Sequence, residues 1–213
     1  MYWLVLFLFT CNMLAASSDY ISHYLLKNYR DALLSIDSQL KNEPQNPTLV
    51  EAKIVCLAHL GHEADVVNML QSLPKSSLND DLLEEICWAF IMHGAQSTAP
   101  QIRFEALLAG FQSQDARAIA LIKTCLQDPD VSVRSLAFHA ASQFRDSLFH
   151  EDALYAVDND SSIQVRKLAI EVLGTSHTVQ SRQKLMDILS DATRTTDEKI
   201  SAMNTLCNLM YTY

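Results

Sequence analysis

The chain has 213 residues and a mass of 23.9 kDa, enough for one large or two small domains with a sizeable core. Four glycines and five prolines are too few for turn-dense β folds. No G-x-G, Walker sequence or C-x-x-C occurs, so an all-α protein is expected. The formal charge is −9, from 16 Lys+Arg against 25 Asp+Glu. With no basic run longer than two residues, this argues against nucleic acid and against a basic membrane-surface helix.

Residues 1–17 carry no charged side chain, and Trp3-Leu4-Val5-Leu6-Phe7-Leu8-Phe9 makes their centre strongly apolar. The stretch is shorter than the roughly 20 residues that span a bilayer. It suits the apolar region of a signal peptide, with Ala15-Ala16-Ser17 as cleavage site, although no Lys or Arg precedes it. The alternatives are a retained apolar segment packed on the domain, or lipid attachment at Cys11. Leu8-Phe9-Thr10 lacks the small residues that lipid attachment usually follows. The expectation is export, to a bacterial periplasm or cell envelope, with a cytoplasmic location as the alternative. Membrane contact is expected only through this segment if it is retained.

Residues 18–78 are helical in pattern. Tyr29-Arg30-Asp31-Ala32, followed by Ile36 and Pro44, resembles the second helix and closing proline of a tetratricopeptide repeat. Thr48 to Leu73 keeps Gly61 and Ala64 in nearly fitting places and departs elsewhere. Leu73-Pro74-Lys75-Ser76-Ser77 then interrupts the periodicity, which sets a boundary at 78/79. Cys56, Cys87, Cys125 and Cys207 each lie among apolar residues and are expected as buried free thiols. Spacing leaves a Cys56–Cys87 disulfide open.

A repeat organises residues 79–213. Ile102-Arg103-Phe104-Glu105-Ala106, Val133-Arg134-Ser135-Leu136-Ala137, Val165-Arg166-Lys167-Leu168-Ala169 and Glu198-Lys199-Ile200-Ser201-Ala202 align on a cation at spacings of 31, 32 and 33 residues, with alanine three positions later each time. Each match opens a 3.6-period helix, as in Val133, Leu136, Ala137, Ala140, Ala141 and Phe144. Another amphipathic segment precedes each of the last three: Ile119 to Leu126, Ala153 to Val157, and Leu185 to Leu189. The units are therefore helix pairs. Asp128-Pro129-Asp130 and Asp158-Asn159-Asp160-Ser161-Ser162 break the first helix and offer N-cap oxygens to the second. Gly94 and Gly174 are expected to end helices in a left-handed conformation.

Helix, Asp-Pro-Asp turn, then Val-Ser-Val-Arg-x-x-Ala resembles the HEAT repeat over about residues 80–210. The resemblance implies a right-handed α-solenoid of stacked helix hairpins. It also implies an acid and base ladder containing Asp128, Arg134, Asp160 and Arg166 as structural residues. The second helices would line a concave face, where the positions one and five after the cation meet solvent. These are Phe104 and Leu108, Ser135 and His139, Lys167 and Glu171, Ile200 and Asn204.

No chemistry-bearing constellation stands out. His59 and His62, beside Glu63, are separated by Gly61 and fall in a turn with no third ligand. No Gly-x-Ser-x-Gly occurs, and no cysteine has a nearby base. No catalytic residue, metal or cofactor is therefore expected. Met203, Leu206, Cys207 and Met210 form an apolar face on the last helix, a site for self-association or for a partner. The leading expectation is a non-enzymatic scaffold that binds protein or peptide along its concave face. The alternative, from the resemblance, is a tetrapyrrole or small-ligand binder of the bilin lyase type. A DNA-repair type of HEAT protein fails on charge.

Overall fold

The structure, a computed structural model, describes residues 19–74, 77–144 and 147–211. The leader with Cys11, and the terminal Thr212 and Tyr213, lie outside the described residues. Twelve α-helices and no strand occur among those residues, and the chain divides into two compact units, residues 1–93 and 94–213. None of these helices is long and apolar enough to cross a membrane. The sequence boundary at 78/79 marks a change of motif, whereas the break in compactness comes one helix later.

In the first unit α1 (Asp19–Leu25) packs on α2 (Tyr29–Leu40), α2 on α3 (Pro47–His59), and α3 on α4 (Glu63–Ser72); α5 (Asp80–Gly94) follows. Ala32 and Ile36 lie one turn apart on α2, so both enter a core with Tyr20, Leu49 and Cys56. A second cluster joins Ile54, Val55, Leu57, Ala58 and Val66 to Leu82, Ile86 and Ala89 of α5. Burying each of the larger aliphatic side chains contributes about 1.5–3 kcal/mol. Asn46 caps α3 by accepting from the amides of Thr48 and Leu49, with Pro47 at the first helical position. The turn from α3 to α4 passes through Gly61 at φ +74°, which a residue with a Cβ adopts only under strain.

The second unit holds α6 (Pro100–Gln112), α7 (Arg117–Cys125), α8 (Val131–Ala141), α9 (His150–Asn159), α10 (Ile163–Leu173), α11 (Val179–Ser190) and α12 (Thr196–Tyr211). The four repeated motifs fall on α6, α8, α10 and α12. Each of these packs against the next, α6 on α8, α8 on α10 and α10 on α12. The intervening helices pair with them, α7 with α6 and α8, α9 with α10, and α11 with α12. Asp130 caps α8 by accepting from the amides of Ser132 and Val133, and Ser162 caps α10 by accepting from Val165. The repeated alanines Ala106, Ala137, Ala169 and Ala202 are all buried, so a larger side chain in that row would overpack the core.

Two expectations are corrected. Among the described glycines only Gly61 has positive φ, and the residue that caps α10, Gly174, has φ −71°. Glycine is needed at 174 for space, because a Cβ there would lie 2.6 Å from the Thr205 methyl of α12. The four described cysteines are free, but only Cys56 and Cys125 are buried; Cys87 and Cys207 are exposed. On α12 the core-facing residues are Ser201, Ala202, Thr205 and Leu209, so the apolar row Met203, Cys207 and Met210 points outward while Leu206 is half-buried.

Candidate functional site

Three of the four repeated cations, Arg103, Arg134 and Arg166, build a ladder of ion pairs between successive helix pairs. Arg103 donates through Nε and Nη2 to both carboxylate oxygens of Asp128, each at 2.7 Å. Arg134 does the same to Asp160 at 2.7 and 3.0 Å, and Arg166 Nε reaches Glu198 at 2.7 Å. The remaining guanidinium edge turns back on its own unit. Arg134 Nη1 donates to the Asp128 carbonyl at 2.8 Å, and Arg166 Nη1 to the Asp160 carbonyl at 2.9 Å. Each arginine therefore ties the turn before its own helix to the turn or first helical residues of the next. The planar fork of arginine suits this double duty, which lysine performs less well.

Asp128 and Asp160 thus accept from the preceding unit's arginine while their carbonyls hold the following one. Glu198 is the acid that sequence reasoning missed. It occupies the slot of Val133 and Val165, and its side chain is 1% exposed. Arg166, Arg194 and Thr195 all donate to it. Burial by itself raises the Glu198 pKa, but the bonds from Arg166 and Thr195 outweigh it and hold the carboxyl at about 2. Asp128 follows the same balance: burial pushes it up, and Arg103 with the Asp130 amide brings it net downward.

The positions expected to face solvent fall into two rows. Five places after the cation, His139, Glu171 and Asn204 are exposed on three successively packed helices, whereas Leu108 is half-buried. One place after it, Phe104, Ser135 and Lys167 are half-buried and Ile200 is 54% exposed. Lys167 reaches toward Asp197 at 3.8 Å. The rows are polar across α8 and α10 and apolar at the α6 end.

The histidines do other work. His59 stacks on Tyr29 with ring centroids 3.9 Å apart, and burial, then the charges of Lys27 and His93, lower its pKa to about 4. His62 immediately precedes α4 and lies 3.3 Å from Asp65. No group of three or more His, Cys, Asp or Glu able to hold a metal occurs among the described residues. His150 is buried, with the Ser176 and Ser181 hydroxyls 3.2 and 3.3 Å from Nδ1 and Gln180 Oε1 3.3 Å from Nε2. Ser181 has no exposed surface and Ser176 is half-buried, and the knot binds the α10–α11 turn to α9. Burial raises the Cys56 and Cys125 thiols to about 12 and about 11, far from nucleophilic at neutral pH.

No protein-family model matches the chain, and no curated protein matches it.

Proposed function

We propose that the chain is a non-enzymatic scaffold whose residues 79–213 form a right-handed, HEAT-like α-solenoid, preceded by a tetratricopeptide-like region. Its partners are proteins or peptides, held along the row of Ser135, His139, Lys167, Glu171 and Asn204, with Phe104 and Leu108 at one end. The observation that carries this is the exposure of His139, Glu171 and Asn204 at one register of three helices packed in series. Such a row presents side chains of mixed polarity at regular intervals, which suits an extended polypeptide. Scaffold and site are then one object, since the rungs set the spacing of the row. The proposal assigns no catalytic residue and no cofactor, and it gives the leader a role in export.

Photocrosslinking tests it. With p-benzoylphenylalanine in place of His139 or Glu171, cells should yield adducts to polypeptide. The same probe at Tyr155, which is 67% exposed on α9, should yield none. Equal adducts at all three positions, or none at any, would remove the case for this face.

A further inference from the structure

Among the described residues, the outer face of α12 is exposed where the other second helices are covered. At the position four after the cation, Leu107, Phe138 and Ile170 are 0%, 1% and 0% exposed, each on a helix with another second helix packed beyond it. At the same register Met203 of α12 is 51% exposed. Three residues further on, Gly110, Ala141 and Leu173 are buried while Leu206 is only half-buried. The cations tell the same story. Arg103, Arg134 and Arg166 each hold a carboxylate of the next unit, whereas Lys199 makes no ion pair among the described residues.

From this we propose that the outer face of α12, Lys199 with Met203, Leu206 and Met210, is a docking site for an amphipathic helix of another protein that carries an Asp or Glu at its N-terminal end. The carboxylate would meet Lys199 as Asp160 meets Arg134, and the apolar stripe would cover Met203 as α10 covers the outer side of α8. Continuity with the α6–α8–α10–α12 packing sets the geometry, and the unpaired lysine sets the charge of the occupant. A second copy stacked head to tail through α6 does not satisfy it, because Ser97 stands three residues before α6, where Asp128 and Asp160 stand before α8 and α10. The site shares no residue with the row of His139, Glu171 and Asn204, although Met203 adjoins Asn204, and it stands whether or not that row binds a partner.

The test uses the full chain and a labelled synthetic peptide of residues 158–174, stapled across Gln164 and Glu171, both exposed on α10. In the folded protein the internal site for this segment is already filled, and α12 presents its outer face exposed among the described residues. Fluorescence anisotropy should show saturable binding. Met203→Asp and Lys199→Glu should each weaken it by about tenfold or more, and an Asp160→Lys peptide should recover affinity for the Lys199→Glu protein. Met203 is exposed and Lys199 half-buried, and unchanged helicity by circular dichroism will establish that both variants fold. Absence of saturable binding, affinities indifferent to both variants, or failure of the charge swap would overturn the proposal. So would sedimentation of the wild-type chain as a dimer that Met203→Asp dissociates, since the occupant would then be a second copy.

Discussion

Glu198→Ala is expected to destabilise the second unit by about 3–5 kcal/mol, because it strips a buried carboxylate from Arg166 and Arg194 and leaves two guanidinium groups without it. For a chain of this length that corresponds to a fall of about 10 °C in Tm. The effect carries a pH signature. With a folded-state pKa of about 2 against an ordinary 4.5, ionised Glu198 contributes about 3 kcal/mol that is fully present above pH 4.5. The contribution fades as pH falls from 4.5 toward 2, where folded and unfolded forms are protonated alike. Urea unfolding at pH 7, 4 and 2.5 should therefore show a gap between wild type and variant that narrows as acid is added. A gap that stays constant would mean that the glutamate is held for its shape and not for its charge.

Phe138→Ala should cost about 3–5 kcal/mol, since the ring is 1% exposed and its removal leaves a cavity between rigid helices. Met203→Ala, at the same register of α12, should cost no more than about 0.5 kcal/mol, because half of that side chain already meets solvent. The contrast isolates position in the stack from position in the motif. Chemical denaturation of both variants measures it, and comparable losses at the two sites would mean that α12 is covered and that its open face is not real.

The motif periodicity located the second helices of the second unit because a cation followed by alanine three residues on is a pattern of side chains, and side-chain patterns survive without coordinates. The Asp-Pro-Asp and Asp-Asn-Asp-Ser-Ser turns likewise announced their caps, since an oxygen at the N-cap has one local job. Pairing was harder to read. Arg103 meets Asp128 across 25 residues and Arg166 meets Glu198 across 32, so no single spacing exposes the rungs. Glu198 was further hidden because it stands in a valine slot and reads as a fault in the repeat. Phe138 escaped the apolar stripe for a related reason: it is buried on a helix that packs against α6, α7 and α10, and a one-faced helical wheel does not contain several interfaces. Gly174 misled because crowding by Thr205, a residue 31 positions away, leaves no trace near the glycine. Of the candidate face, the exposure of His139 and Glu171 was legible from register alone, whereas the partial burial of Phe104, Leu108, Ser135 and Lys167 depends on neighbours outside the motif.

The claim on which the rest depends is that the arginine rungs couple one helix pair to the next. A double-mutant cycle on Arg134 and Asp160, using Arg134→Ala, Asp160→Ala and the pair together, measures that coupling directly. The expected result is that each single change costs about 2–3 kcal/mol and the double change little more than either. That outcome gives an interaction energy of about 1.5–3 kcal/mol. Additive losses, with an interaction below about 0.5 kcal/mol, would contradict the account, because the two residues would then stabilise their own units without joining them.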